Sequence, residues 1–95
     1  MHGEYKQPGG KLVVVDLAVE AGRLAGVRVS GDFFMEPDSA LDAIDRALCG
    51  LPADAGEQAF SAAVHAALAP GVALYGISPE AVATAVQRAL QEHAA

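Results

Sequence analysis

The fold is decided by residues 11–30, which read KLVVVDLAVEAGRLAGVRVS. Apolar side chains occupy every second position from residue 13 to residue 19, and polar or smaller side chains lie between most of them. This period of two is typical of a β-strand with one buried face. The alternation resumes at Val27 and Val29 after the short connection Ala21-Gly22. We therefore predict an antiparallel β-hairpin.

The residues on either side of the hairpin carry weaker signals. Residues 1–10 are largely polar and contain Gly and Pro just before the first apolar run, so we predict that they are irregular. Residues 31–35 can continue the sheet, either as a bulged extension of the hairpin or as a short third strand. A bend is easiest at Gly31, because glycine has no Cβ atom.

The second half of the chain predicts helices, because apolar residues recur there at intervals of three and four. The first helix ends at Gly50, the second has Asp54 as its N-cap, and the third begins at Ser78. Residues 72–77, before the third helix, are expected to be a brief strand or an extended loop. The expected inward-facing residues are Leu41, Ile44, Leu48, Phe60, Val64, Leu68, Val82, Val86 and Leu90.

Strands followed by helices indicate the α+β class. We predict one domain over residues 1–95, in which about three helices cover a small antiparallel sheet. That sheet would consist of the N-terminal hairpin and the short third strand.

Composition and charge exclude several classes of function. The net charge is −6, so the basic surface that binds nucleic acid or an anionic membrane is missing. No apolar run approaches the about 20 residues that a membrane span needs. The lone cysteine, Cys49, cannot form an internal disulfide, which fits a reducing cytosol. We expect a soluble cytoplasmic domain.

The sequence shows no set of residues suited to catalysis by this chain alone. His2, His65 and His93 are far apart, and no spacing typical of a zinc site occurs, so each is expected to be solvated or structural. Cys49 is expected to be a small buried hydrophobe. The acids of the first predicted helix are expected on its solvated face: Asp38, Asp42 and Asp45.

Residues 6–11, KQPGGK, which we call the lysine loop, place two glycines between two lysines. Accessible backbone N–H groups beside positive charge can bind a phosphate or a carboxylate. The spacing differs from that of a Walker loop, G-x-x-x-x-G-K-[ST]. On its chemistry alone, an ordinary polar lead-in to a strand is the favoured interpretation of the lysine loop.

Two motifs change that interpretation. They are residues 2–13, HGEYKQPGGKLV, and residues 31–37, GDFFMEP, joined by the predicted hairpin. In this order they resemble the C-terminal domain of bacterial and archaeal lipoate–protein ligases. The resemblance is most specific from Tyr5 to about Leu51 and continues more loosely to the C-terminus.

The resemblance implies a small α+β fold similar to SufE-type and iron–sulfur scaffold domains. It also implies an accessory role, because in these ligases a large catalytic domain uses ATP, Mg and lipoate to form lipoyl-AMP. That domain then passes the lipoyl group to a lysine of an acceptor domain. Its Arg-rich, triple-glycine lipoate motif and catalytic lysine are absent from this sequence. The chain resembles either a separate small subunit or part of a longer ligase, with no cofactor of its own.

The resemblance also implies site residues. The lysine loop would lie against the adenylate, with Lys11 as the charge contact. The candidates for contact with the adenylate or the catalytic partner are Lys6, Pro8, Gly9, Gly10 and Lys11. The candidates for the surface that faces the catalytic domain are Gly31, Asp32, Phe33 and Phe34. A structural interpretation of the two phenylalanines, one in the core and one half-exposed, stays open.

Two other classes of function stay open as well. A sulfur-acceptor protein of the SufE or scaffold type would share the fold and use Cys49 as its carrier. A cluster site that needs three cysteines is impossible with one cysteine in the chain. The other class is a non-catalytic interaction domain that binds a lipoylated protein.

Overall fold

A computed structural model describes residues 1–94 of the chain and the side chains of residues 1–91. The strands within that range are β1 (His2–Lys6), β2 (Leu12–Glu20), β3 (Arg23–Gly31), β4 (Phe34–Glu36) and β5 (Ala73–Tyr75). The main sheet is antiparallel, in the order β1-β2-β3. The two short strands β4 and β5 pair with each other, also antiparallel, in a separate small sheet.

Helices cover one face of the main sheet. They are α1 (Ser39–Leu48), α2 (Glu57–Ala67) and α3 (Pro79–Ala94). Helix α3 lies across β1 and β2, α1 packs on β3, and α2 packs on α1 and α3. The predicted α+β class, with a small antiparallel sheet covered by helices, is confirmed.

The predicted hairpin corresponds to β2 and β3, and its buried face is the predicted one. Val13, Val15 and Leu17 are at most 5% exposed, whereas Asp16 and Ala18 are exposed on the opposite face. The apolar alternation therefore determines which face of the sheet receives the helices.

The turn of this hairpin consists of Ala21 and Gly22, with φ angles of 53° and 78°. Glu20 pairs with Arg23 on either side of it. Positive φ at both central positions is typical of a type I′ turn, whose twist matches that of the flanking strands. Ala21 carries a Cβ atom in this conformation, which is unfavourable for an L-residue.

The predicted irregular N-terminus is wrong, because His2–Lys6 forms strand β1 against β2. The buried face of β1 is marked mainly by Gly3, which is buried without contributing an apolar side chain. A Cβ atom at Gly3 would overlap the backbone of Ala85 and Ala89 in α3. The alternation that reveals a strand is therefore missing, since the helix backbone occupies the place of a side chain.

The short strand predicted in residues 31–35 exists as β4, but it does not belong to the main sheet. Gly31, with a φ of 145°, ends β3, and β4 then pairs with β5 rather than with the hairpin. The third strand of the main sheet is β1 instead. Residues 72–77 contain a brief strand, β5, as one of the two predicted alternatives had it.

The helix starts follow the prediction in part. The Ser78 hydroxyl accepts the Ala81 N–H at 3.1 Å, which confirms Ser78 as a capping residue. Helix α2 begins after Gly56 rather than after Asp54, with no side-chain cap.

His65 is exposed, as expected, and the His93 side chain lies outside the described residues. The predicted inward-facing residues that are only half-buried against the core are Leu41, Leu68 and Leu90.

Both edge strands of the main sheet are partly covered. On β3, the Leu24 N–H donates to Leu51 O at 2.9 Å, and the Val29 N–H donates to the Asp45 carboxylate at 3.0 Å. On β1, the Glu4 carbonyl accepts a hydrogen bond from Arg88 at 3.0 Å. Such cover limits pairing with strands of other molecules.

Asp45 is therefore not the solvated residue that the helix pattern predicts. It is half-buried, because its carboxylate lies between α1 and the edge of β3. Burial raises the pKa of Asp45 above its usual value, and the hydrogen bond from Val29 opposes this shift. Asp38 and Asp42 are exposed, as predicted.

His2 bridges two carboxylates on the uncovered face of the main sheet. Its Nε2 lies 2.6 Å from Glu4 and its Nδ1 lies 2.8 Å from Asp16. Both ring nitrogens can donate at once only in the imidazolium form. The hydrogen bond with Glu4, followed by that with Asp16, raises the pKa of His2 from 6.5 to about 9.

We expect Ala21→Gly to raise the free energy of unfolding by about 0.5–1 kcal/mol, because glycine adopts positive φ without the penalty of an L-residue. Chemical denaturation measures the difference. The matched control is Ala62→Gly, at an exposed position inside α2, which should lower the free energy of unfolding by about 1 kcal/mol. A destabilised Ala21→Gly chain would contradict the turn assignment.

The raised pKa of His2 predicts a specific dependence of stability on pH. Because the folded-state value of about 9 exceeds the usual 6.5, the contribution of His2 is complete below pH 6.5 and is lost as the pH rises through about 9. Thermal unfolding of wild type and His2→Gln across this range tests it. The difference between the two chains should shrink as the pH rises. A difference that does not vary with pH would show that His2 does not act as an imidazolium.

Candidate functional site

The lysine loop contains a tight turn. The Gly10 N–H donates to Gln7 O at 2.8 Å, and Gly9 has a φ of 72°. Pro8 before a residue of positive φ is typical of a type II turn, in which glycine is preferred at the second central position. The turn leaves Lys6, Pro8, Gly9 and Lys11 exposed, with Gly10 half-buried.

Hydrogen bonds attach the lysine loop to the segment that leads into α3. The Lys11 N–H donates to Gly76 O at 3.1 Å. The Ser78 hydroxyl donates to the Gln7 side-chain oxygen at 2.9 Å and also accepts the N–H that caps α3. The loop is therefore held in place from the far end of the chain.

The second predicted motif meets the lysine loop at the same end of the main sheet. Gly31 pairs with Val13, and the Asp32 N–H donates to Leu12 O at 3.2 Å, one residue after Lys11. A Cβ atom at Gly31 would overlap that same Leu12 carbonyl oxygen. Gly31 therefore permits the close approach that places both motifs side by side.

The aromatic residues of the second motif differ in exposure. Phe33 is half-buried and packs against the core, whereas Phe34 is 53% exposed. The Phe34 ring packs on that of Tyr75, with 5.5 Å between their centroids and an angle of 47° between their planes. Tyr75 is also 53% exposed, so β4 and β5 present an aromatic pair to solvent.

The lysine loop, its attachment at Gly76 and the Phe34–Tyr75 pair together form one candidate surface. Sequence reasoning missed three of its members: Gln7, Tyr75 and Gly76. Gln7 is an unremarkable polar residue inside the motif, and its bond to Ser78 joins positions that are remote in sequence. Tyr75 carries no signal, because only the pairing of β4 with β5 brings it to Phe34. For Gly76, a glycine after a short apolar run is a signal, although it indicates a turn rather than a contact.

The groups present at this surface are suited to binding. The described residues bring exposed lysines, a turn and an aromatic pair to one end of the molecule. Among them, no group of three or more His, Cys, Asp or Glu side chains is placed to hold a metal ion. A depression of about 150 Å³ beside Phe34 is smaller than the roughly 300–1,000 Å³ of sites that enclose small molecules.

Cys49 belongs to neither of the two motifs. It follows α1, and its N–H donates to Asp45 O at 3.2 Å. The predicted burial of Cys49 is wrong, because the residue is exposed. The chain leaves the helix here in an extended conformation, with φ −63° and ψ 131°, so the apolar stripe of α1 does not continue to this position.

Comparisons with known proteins give one line of similarity. No protein-family model and no curated protein match the sequence. The structure is similar to a chain from an archaeal lipoylation system, described as a bi-partite lipoate protein ligase and its E2 lipoyl domain from Thermoplasma acidophilum. The TM-score is 0.68 at 25% sequence identity, and the similarity covers 90% of this chain and 97% of that one. The fold is thus one that occurs in a lipoylation system.

Within the described residues, no helix is both long and apolar enough to cross a membrane.

Proposed function

We propose that this chain is the accessory part of a lipoate–protein ligase and supports ATP-dependent formation of lipoyl-AMP by a separate catalytic domain. The observation that carries the proposal is the structural similarity, which spans nearly the full length of both chains and comes from a bi-partite ligase system. The two ligase-like motifs add support, since they lie next to each other at one end of the sheet.

In this proposal, the catalytic domain binds ATP, Mg and lipoate, and this chain supplies a binding surface. The lysine loop would lie against the adenylate, with the Lys11 ammonium as the charge contact. Gly9 and Gly10 would let the backbone approach closely. The loop is attached at Gly76 and Ser78, so its conformation is set before the partner binds.

The aromatic pair Phe34–Tyr75 would contribute to the surface that meets the catalytic domain. Large apolar groups that are half-exposed and adjacent often mark protein contacts. Tyr75 directly precedes Gly76, whose carbonyl holds Lys11, so the aromatic pair and the lysine loop can contact one partner together.

We expect Lys11→Ala to slow adenylation of lipoate by about ten- to a hundredfold, because a charge-assisted contact of roughly 1.5–3 kcal/mol is lost. Folding stability should barely change, since the residue is exposed. The measurement uses the chain reconstituted with the catalytic ligase of the same organism. One assay starts from ATP and lipoate, and a second starts from synthetic lipoyl-AMP. Lys11→Ala should impair the first and spare the second.

Two controls accompany these assays. Arg46→Ala removes an exposed cation from the last turn of α1 and should leave both assays unchanged. The chain without its partner should form no lipoyl-AMP. Equal loss in both assays on omission of the chain would place its role in transfer or assembly. Unimpaired adenylation without the chain would contradict the ligase proposal and leave the two alternatives, a sulfur acceptor and a non-catalytic interaction domain.

The exposure of Cys49 favours one alternative, a sulfur-acceptor function with this thiol as the carrier. Under the ligase proposal, we expect Cys49→Ser to change neither adenylation nor stability beyond about 0.5 kcal/mol, because the side chain is exposed. The same ligase assays and chemical denaturation measure both effects. Alkylation of Cys49 should likewise leave ligase support intact. A folded Cys49→Ser chain that has lost its activity would favour the sulfur-acceptor alternative.

A further inference from the structure

Gly76 and Lys11 are in direct contact across the surface described above. The Gly76 carbonyl accepts the Lys11 N–H at 3.1 Å. A Cβ atom built on Gly76 would overlap Lys11 Cγ and lie 3.0 Å from Lys11 Cβ. The stem of the Lys11 side chain therefore occupies the space that a side chain at position 76 would need.

The backbone at position 76 also requires glycine. Gly76 has a φ of 80°, which L-residues with side chains rarely adopt. It lies between β5 and the Ser78 cap of α3, and its carbonyl accepts the Lys11 N–H. The backbone of Gly76 thus lies against the first two carbons of the Lys11 side chain.

We propose that Gly76 is a positioning residue, which directs the Lys11 side chain toward the adenylate by leaving one space open for its stem. This inference rests on the proposed function of the lysine loop. A lysine side chain has four rotatable bonds and therefore adopts many conformations in solution. Contact near Cβ and Cγ restricts the first torsions, which determine the direction of the whole side chain. Less side-chain conformational entropy is then lost when the ammonium contacts the adenylate.

The test combines Gly76→Ala with Lys11→Ala in the reconstituted ligase. In the wild-type background, Gly76→Ala should lower the maximal rate of adenylation by about tenfold, because a displaced charge loses its alignment with the reacting group. In the Lys11→Ala background, the same substitution should change the rate by less than about twofold, since the two residues act together. The concentration of chain that gives half-maximal support should change much less than the maximal rate, because the proposed partner contacts Phe34 and Tyr75 are not replaced.

A matched control separates steric displacement from backbone strain. Gly71 has a φ of 90°, and a Cβ atom there would meet no neighbour within 4 Å. Gly71→Ala therefore introduces comparable strain without a contact to Lys11, and it should leave adenylation unchanged. If Gly76→Ala does not fold, Gly76→Asn replaces it, because Asn adopts positive φ more readily.

Each other result has a defined meaning. If Lys11→Ala does not impair adenylation, the proposed function of the loop fails. If it does, but Gly76→Ala has the same effect with and without Lys11, the positioning role is overturned. Nuclear Overhauser contacts between the Gly76 α-protons and the Lys11 β- and γ-protons should appear in the isolated chain, and their absence would also overturn it.

Discussion

The approach of α3 to β1 at Gly3 determines where the proposed site can form. Because Gly3 has no side chain, the helix backbone at Ala85 and Ala89 lies directly on the strand. This sets how close α3 lies to β1, and Ser78 caps the start of the same helix. Ser78 can then bond Gln7 in the loop that follows the same strand. Close packing of α3 on an edge strand, β1, is thus linked to the attachment of the loop that follows that strand.

The alanine content of the chain serves the same constraint. Ala81, Ala85 and Ala89 are at most 1% exposed, which allows α3 to lie close to the sheet and to α2. Small residues bury less apolar area each than leucine, so each contributes less hydrophobic stabilisation. Close packing offsets part of this smaller stabilisation, because the buried atoms make many van der Waals contacts. Phe60, fully buried in α2, supplies the largest apolar side chain of the core.

Local patterns predicted most of the fold. Alternation in residues 11–30 identified the hairpin, and helical spacing with the Ser78 cap identified the helices. The patterns failed where a neighbour remote in sequence decides the outcome. Gly3 hides β1, because its face is filled by α3 rather than by a side chain. The Asp45 carboxylate is half-buried because it accepts the Val29 N–H at the edge of β3. The loop residues could be named from their motif, but their contacts with Gly76 and Ser78 required the fold.

The attachment of the lysine loop is consistent with the accessory role proposed above. An ordered contact made at the moment of binding loses part of its strength to the entropy of ordering the side chains and backbone. Here, the turn at Gly9, the bond from Lys11 to Gly76 and the bond from Ser78 to Gln7 fix the backbone beforehand. The side chain of Lys11 retains most of the remaining freedom. Under the further inference, Gly76 restricts the first torsions of Lys11 and so lowers the entropy that this side chain loses on binding.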